Sequence, residues 1–169
     1  MAAQLTPAER LEIRVALEDL NTAFCYHLDH NEVEPLLELF TGDVYYTHGS
    51  RVSRGKEDLA KVFRGRSATQ VRTSRHMYSG LKLDIESATR ARGTSVSLTF
   101  GQYGEPPLSP AIPILVADFV DVYARGADRQ WKRFQPVVNA VAQEAIDETL
   151  VFRFMKPLYS WWKDIRSEE

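Results

Sequence analysis

The sequence predicts a single α+β domain in which one curved sheet wraps over a layer of helices. Two observations support this fold class: the clearest helical periodicity lies in the N-terminal part of the chain, and alternating strand patterns follow beyond residue 75. The strands come one after another with short turns between them, which is typical of an antiparallel meander. The length of 169 residues and the 44 % hydrophobic content are those of one globular unit.

Three helices are expected in the N-terminal part. The first begins with Thr6-Pro7-Ala8-Glu9, a capping box with proline at the first helical position. It continues to about Asp29, because apolar residues recur at helical spacing along one face: Ile13, Leu17, Leu20, Phe24 and Leu28. Shorter helices are predicted at residues 34–40 and 55–63, with a short strand at 43–47 between them.

Four strands are predicted after the helices. The first two alternate apolar and polar side chains, and Val96, Leu98 and Phe100 share one face of the second. A proline-rich loop at 101–113 and a hairpin turn at 125–129 separate the later strands. The predicted strands are 81–86, 90–100, 114–123 and 131–138.

We divide the chain into one domain at residues 1–138 and a C-terminal extension at 139–169. Residues 139–148 have helical spacing, and residues 150–162 are densely aromatic. That much apolar surface requires burial. The extension is therefore expected to pack on the same domain or on a partner subunit.

Composition excludes several classes of function. The single cysteine, Cys25, cannot form an internal disulfide and fits a reducing cytoplasm. No apolar stretch is long enough to span a bilayer, and the N-terminus lacks the basic and apolar regions of a signal peptide. A formal net charge of −2 argues against general nucleic-acid binding. We therefore expect a cytoplasmic protein that binds neither nucleic acid nor membrane.

Charge is unevenly distributed along the chain. Residues 1–43 carry two basic and nine acidic side chains, whereas residues 51–75 carry eight basic and two acidic ones. The favoured interpretation is that the two regions face each other within the fold or across a subunit contact. The alternative is a basic rim that attracts an anionic small molecule.

Asp29 and His76 are the most informative candidates for chemistry. Asp29 lies in the last turn of the first predicted helix, where the helix dipole and apolar neighbours are expected to raise the pKa of its carboxyl group. Such a carboxyl group is suited to proton transfer near neutral pH. The alternative is that Asp29 caps the turn in water and that His76 is a hydrogen-bonded structural histidine. His27 and His30 lack a convincing third ligand, so no metal is predicted.

Several short motifs occur in a recognisable order. There are four: Leu28-Asp29 running through Leu39-Phe40 into Gly42-Asp43-Val44, Arg54-Gly55-Lys56-Glu57, Arg75-His76-Met77 and Trp131-Lys132-Arg133-Phe134. On these four stretches, the segment from residue 11 to residue 138 resembles the SnoaL-like group of the nuclear transport factor 2-like superfamily.

The resemblance implies a cone-shaped α+β barrel with helices over the concave face of the sheet and an apolar cavity inside. The group includes scytalone dehydratase, limonene epoxide hydrolase, ketosteroid isomerase and polyketide cyclases, which use an aspartate, often with histidine and tyrosine, and no cofactor. Asp29 and His76 match the aspartate and histidine of dehydratase-like members. Leu28 and Phe24 stand where some dehydratases carry tyrosine, so those two hydroxyl groups are absent here.

From these residues we expect a cofactor-independent lyase or isomerase that acts on an apolar or aromatic small molecule. Asp29 and His76 would move a proton next to a carbonyl group, and Tyr46 or Tyr45 would hydrogen-bond the developing oxyanion or departing hydroxyl. The expected ligand contacts are Phe24, Tyr26, Tyr78, Phe119 and Trp131. The alternative is a non-catalytic ligand-binding or assembly module, which a solvent-facing or arginine-paired Asp29 would favour.

The strands also predict a homo-oligomer. Residues 115–120 are apolar almost without interruption, which is typical of a strand covered on both faces. A two-fold dimer that packs sheet to sheet is the simplest assembly that provides this cover. The alternative is that the C-terminal extension covers its own sheet and leaves a monomer.

Overall fold

The computed structural model describes residues 5–143, and within them three helices precede or interrupt a six-stranded sheet. The helices are α1 (Pro7–Asp29), α2 (Val33–Glu38) and α3 (Gly55–Gly65). The strands are β1 (Tyr45–His48), β2 (Arg51–Arg54), β3 (Arg72–Ser87), β4 (Arg90–Tyr103), β5 (Pro113–Arg125) and β6 (Trp131–Gln143).

Helix α1 has the two ends that its sequence predicts. The hydroxyl of Thr6 accepts a hydrogen bond from the backbone N–H of Glu9 at 3.2 Å, and the Glu9 carboxylate accepts one from the backbone N–H of Thr6 at 2.8 Å. At the other end Asn31 adopts a left-handed conformation with φ of 56°, which an asparagine tolerates and which stops the helix. The Asn31 side chain bonds to the carbonyl of Arg72 and accepts from Ser67. These contacts fix the end of α1 against the start of β3.

The sheet has the strand order β2-β1-β6-β5-β4-β3. All neighbouring pairs are antiparallel except β1 and β6, which are parallel, so the sheet is mixed. Register shifts interrupt the β3–β4, β4–β5 and β5–β6 ladders, and such irregularities bend strands. The predicted α+β architecture, a curved sheet wrapped over helices, is confirmed; the sheet is open and does not close into a barrel.

Three local predictions differ from the structure. Strand β2 was not expected, and β3 begins at Arg72 instead of near residue 81. The first half of β3 is rich in polar residues because its inner side chains line a cavity, so it lacks the apolar alternation that marks a strand. Residues 139–143 continue β6, where helical spacing was expected. The aromatic run at 150–162 lies outside the described residues, and its packing stays a prediction.

The faces of β4 are the reverse of what its hydrophobic pattern indicates. Ser95, Ser97 and Thr99 point inward and are buried, whereas Val96 on the outer face is 48 % exposed. Val120, on the same outer face of neighbouring β5, is also exposed. Among residues 5–143 nothing covers this apolar face, and a sheet-to-sheet dimer that would cover it stays a prediction.

A sealed ion pair joins β5 to β6 inside the core. The Arg133 guanidinium donates to both carboxylate oxygens of Asp121 at 2.6 and 2.7 Å, and the Tyr123 hydroxyl donates to the same carboxylate at 3.1 Å. Both charged side chains are 1 % exposed. The guanidinium carbon lies 4.2 Å from the ring centroid of Phe24, a cation–π contact that ties α1 to the sheet.

Within residues 5–143, no helix combines the length and the hydropathy that crossing a bilayer would require.

Candidate active site

A cavity of about 330 Å³ lies between α1, α3 and the inner face of the sheet. This volume is at the lower end of the range of small-molecule sites. One part of its wall is apolar: Phe24, Leu28, Val62, Phe63, Leu115, Phe119 and Val138. The polar part of the wall consists of Tyr46, His48, Arg51, Arg66, Arg72, His76, Thr99 and Tyr103.

Asp29 and His76 are in direct contact at the edge of this cavity. The His76 Nδ1 atom lies 2.6 Å from Asp29 Oδ1, and the backbone N–H of His76 donates to Asp29 Oδ2 at 2.6 Å. The side chains of Asp29 and His76 are 5 % and 9 % exposed. The contact expected between the two residues is therefore present. His76 lines the cavity, and Asp29 lies behind it.

The position of β3 at the edge of the sheet explains why Asp29 can hold its partner. Alternate N–H groups of an edge strand have no neighbouring strand to bond, and the carboxylate of Asp29 accepts one of them, from His76. The hydroxyl of buried Ser74 donates to Asp29 Oδ1 at 2.7 Å and accepts from Arg66 Nη2 at 3.2 Å. Asp29 therefore has three donors, which hold its carboxylate in one orientation.

The pKa of Asp29 is lowered, which is the opposite of the expectation from helix position. Burial raises this pKa, but the hydrogen bonds and charge of His76, with the hydroxyl of Ser74, outweigh burial. A carboxylate that accepts several hydrogen bonds is stabilised in its ionised form. The prediction of a raised pKa is therefore wrong, because the donors come from β3, 45 and 47 residues away. Asp29 is ionised at neutral pH.

An ionised Asp29 determines the tautomer of His76. Both oxygens of a carboxylate are acceptors, so the Nδ1 atom of His76 must carry the hydrogen that it shares with Asp29. In the neutral ring Nε2 is then unprotonated and can accept a proton. Nε2 has no hydrogen-bond partner among residues 5–143, and its ring lines the cavity. His76 is therefore the member of the pair that can react with a ligand.

Tyr46 and His48, both on β1, provide hydrogen-bond donors to the same cavity. Burial raises the pKa of Tyr46, so its hydroxyl group stays protonated. Burial and the positive charge of Arg51 lower the pKa of His48. Arg51 Nη2 lies 3.2 Å from Nδ1 of His48, which must accept because a guanidinium has only donors. The neutral ring of His48 is then left with an N–H at Nε2. His48 lies on the same face as Tyr46, but no motif in the sequence marks it as a site residue.

Four of the expected site residues do not line the cavity. Tyr45 points away because successive side chains of β1 face opposite sides, and Arg54 lies 5.5 Å from its ring centroid. Tyr26 is 53 % exposed on the outer side of α1 and stacks on His30. Tyr78 packs against the apolar core beside the cavity. Trp131, at the start of β6, lines a separate groove against the N-terminal half of α1. None of the four lines this cavity, so their predicted roles stay predictions, whereas Phe24 and Phe119 do line it.

The basic run at residues 51–75 divides into two groups. Lys56 and Arg64 pair with Glu38 and Glu34 at 3.1 and 2.7 Å, so part of the run does face the acidic N-terminal region as expected. Arg51, Arg66 and Arg72 instead line the cavity. No sequence motif marks these three residues individually. Their only signal in the sequence was the net positive charge of the run.

The remaining candidates for chemistry are engaged elsewhere. His27 Nδ1 lies 2.6 Å from a carboxylate oxygen of Glu32, and His30 Nδ1 lies 2.7 Å from the carbonyl of Tyr26. Burial raises the pKa of Cys25 to about 11, which makes it a poor nucleophile. In the described part of the chain, no three His, Cys, Asp or Glu side chains form a group that could hold a metal ion. The absence of a metal stays a prediction.

An open curved sheet with helices over its concave face defines an α+β cone, and a buried Asp–His pair lies beside its internal cavity. Residues 9–134 match the family model of the SnoaL-like domain, so this chain belongs to the SnoaL-like family. A comparison with curated proteins finds no significant match.

Solved structures show the same fold. A candidate scytalone dehydratase from Novosphingobium aromaticivorans is 25 % identical, with a TM-score of 0.73 over 82 % of this chain and 91 % of that one. A type 2 hexachlorocyclohexane dehydrochlorinase, LinA, is 20 % identical, with a TM-score of 0.70 over 82 % and 92 % of the two chains. ActVI-ORFA from Streptomyces coelicolor is 16 % identical, with a TM-score of 0.68 over 77 % and 98 %.

Proposed function

We propose that this protein is a cofactor-independent lyase or isomerase in which His76 removes a proton from carbon. One observation carries the proposal: the Nδ1 side of His76 is bound to ionised Asp29, and the opposite side of its ring meets the cavity. A neutral imidazole with an oriented, unprotonated nitrogen is the usual general base near neutral pH. Asp29 orients the ring and stabilises the imidazolium that forms.

A dehydratase would combine this proton removal with the loss of a β-hydroxyl group. His76 Nε2 takes a proton from the carbon next to a carbonyl group, and the electron pair of that C–H bond forms an enolate. The hydroxyl of Tyr46 donates a hydrogen bond to the enolate oxygen. The enolate then re-forms the carbonyl and a C=C bond as the C–O bond to a β-hydroxyl breaks. The departing hydroxide takes the proton from His76 and leaves as water.

An isomerase would use the same first step. The imidazolium of His76 would return its proton to a different carbon of the enolate, so that no group leaves. Two of the structural neighbours have names that describe eliminations, a dehydratase and a dehydrochlorinase. Because eliminations and isomerisations share proton removal from carbon, the shared fold supports this step more than it supports either outcome.

A cyclic β-hydroxy ketone tests the dehydratase form directly. Loss of water from 3-hydroxy-1-tetralone gives 1-naphthol, which is followed by fluorescence. We expect wild-type protein to accelerate this reaction and His76→Gln to abolish the acceleration. His30→Gln is the matched control, because His30 lies on the same end of α1 but outside the cavity, and it should leave the rate unchanged.

Deuterium exchange tests the proton-removal step alone. In D₂O the protein should catalyse exchange of the α-hydrogens of 1-tetralone, which has no group to lose. Exchange and dehydration that both proceed no faster with wild-type protein than with His76→Gln would contradict the enzymatic proposal. That result, together with binding of the ketone, would favour the non-catalytic ligand-binding module.

A further inference from the structure

The polar wall of the cavity carries an excess of positive charge. Arg51 extends from β2, Arg66 follows the end of α3, and Arg72 begins β3. None of the three lies within salt-bridge distance of a carboxylate among residues 5–143. Other basic side chains of the same run, such as Arg64, do have such partners. Three positive charges of the run therefore line the cavity without a carboxylate partner in the described part of the chain.

Two of these guanidinium groups also have unused hydrogen-bond donors away from bulk solvent. The Nε atoms of Arg66 and Arg72 are buried and have no partner in the described part of the chain. The hydroxyl of Thr99, whose residue is only 3 % exposed, is buried and unpaired as well. Buried polar groups normally have partners, and leaving them unpaired costs stability. A ligand that accepts hydrogen bonds would satisfy these groups.

The arginines are near enough to repel each other. Burial lowers the pKa of Arg66, and the positive charge of Arg72 lowers it further. The nearby charge of Asp29 acts in the opposite direction, but this carboxylate already accepts three hydrogen bonds from Ser74 and His76. An anion between the guanidinium groups would relieve the repulsion.

The β3–β4 ladder places these donors on the face that carries His76. His76 pairs with Thr99, and Arg72 pairs with Tyr103, so all four side chains occupy the inner face of the two strands. Gly101 lies between Thr99 and Tyr103 on that face. A Cβ atom at Gly101 would lie 3.2 Å from Arg72 Nη2, so glycine allows the guanidinium to lie close to the strand.

We propose that Arg66, Arg72 and Thr99 bind a carboxylate group of the substrate, whose apolar or aromatic body occupies the opposite wall of the cavity. This inference deepens the proposed function by naming the substrate class, and it rests on that function only in treating the cavity as the substrate site. Guanidinium groups bind carboxylates with paired, charge-assisted hydrogen bonds, and a threonine hydroxyl donates one more. Arg51, which is exposed, attracts the anion to the cavity.

Binding of a matched pair of probes tests the proposal without any need for turnover. The probes are 2-naphthoate and 2-naphthamide, which share an aromatic body and differ in charge. Isothermal titration calorimetry at pH 7.5 should show that wild-type protein binds the carboxylate at least about tenfold more tightly than the amide. Arg66→Gln and Arg72→Gln should each remove most of this preference, and Arg72→Lys should restore part of it.

Two control variants separate this proposal from neighbouring explanations. Arg64→Gln removes one positive charge two residues from Arg66, outside the cavity, and should retain the full preference. His76→Gln should also retain it, even though the proposed function predicts that this variant is inactive. Equal affinity of wild-type protein for the two probes would overturn the proposal, as would a preference that both Arg66→Gln and Arg72→Gln retain. Neither result would bear on proton removal by His76.

Discussion

Two buried carboxylates in this molecule have partners of different chemistry. Asp121 is sealed in the core and binds the guanidinium of Arg133, which cannot give up its proton in a protein. Asp29 lies at the end of α1 and binds His76, whose imidazole ring can accept or donate a proton. Both carboxylates also accept a hydrogen bond from a neighbouring hydroxyl group, Tyr123 in one case and Ser74 in the other. Hydrogen bonding alone therefore does not distinguish them.

The two carboxylates differ in the residue to which each is bound and in whether that residue lines the cavity. Arg133 is in contact with Asp121 and the rings of Phe24 and Phe119, and it does not line the cavity. His76 has one nitrogen on Asp29 and its ring on the wall of a cavity. A permanently charged, enclosed pair has a structural role, whereas an imidazole beside a cavity can accept a proton from a ligand.

The largest expected effect is on turnover at the Asp29–His76 pair. His76→Gln and Asp29→Asn should each lower kcat for the dehydration of 3-hydroxy-1-tetralone by roughly 10²–10⁴-fold. The first removes the base, and the second removes the charge that fixes its tautomer. Steady-state kinetics and circular dichroism would check both variants. A variant that is folded and fully active would show that the Asp29–His76 pair is not needed for turnover, which contradicts the proposed role of this pair.

The sealed pair should show the reverse behaviour. Arg133→Met leaves the carboxylate of Asp121 buried without its partner, which should lower the free energy of unfolding by about 3–5 kcal/mol. Urea denaturation measures this loss. The remaining folded protein should keep its kcat, because Arg133 does not reach the cavity. Loss of activity without loss of stability would place Arg133 in the reactive site and contradict the comparison.

Stability should respond to acid through Asp29. The pKa of this carboxyl is lowered in the folded protein, and in the unfolded chain it is about 3.9. Ionised Asp29 therefore stabilises the fold above about pH 4, and this contribution disappears as the pH falls through the lower folded-state pKa. Urea denaturation between pH 7 and pH 3 should show wild type losing its advantage over Asp29→Asn as the pH falls. An advantage that grows on acidification would mean that the pKa is raised instead.

The smallest effect concerns Phe24, which contacts both regions. Its face lies against the guanidinium of Arg133, and its side chain also lines the cavity. Phe24→Leu should lower the free energy of unfolding by about 1–2 kcal/mol and raise KM, with little change in kcat. Phe134→Leu is the matched control, because its contact with Arg90 is longer, at 5.7 Å, and lies away from the cavity. Equal losses of stability in the two variants would show that the cation–π contact of Phe24 contributes no more to the free energy of unfolding than the contact of Phe134.

The parts of the fold that the sequence predicted are those controlled by local chemistry. The capping box at Thr6 and the apolar stripe of α1 need only neighbours within a few turns, and both are present. The alternating pattern at 81–86 correctly indicated a strand. Residues 72–80 carried no such signal, because Ser74 and His76 point inward to serve Asp29 and the cavity. Because its inward-facing residues are polar, the first half of β3 shows no strand pattern in the sequence.

The central pair of the candidate site was predictable from the sequence, but its electrostatics and most of the polar wall were not. Asp29 and His76 were identified through the resemblance to the SnoaL-like group, and their contact is present in the structure. Helix position alone predicted the wrong direction for the pKa of Asp29, since three donors on β3 outweigh the effects of burial. Likewise, the charge of the basic run was visible, but only the fold shows that Arg66 and Arg72 turn into the cavity while Arg64 does not.

The most direct test of the central claim is the protonation state of the two nitrogens of His76 at neutral pH. Nitrogen-15 NMR of histidine-labelled protein, assigned with His76→Gln, distinguishes a protonated ring nitrogen from an unprotonated one. The structure predicts that neutral His76 carries its hydrogen on Nδ1, facing ionised Asp29, and has an unprotonated Nε2 facing the cavity. In Asp29→Asn this preference should be lost. A wild-type ring with its hydrogen on Nε2 would contradict the account, because His76 could not then accept a proton from a ligand in the cavity.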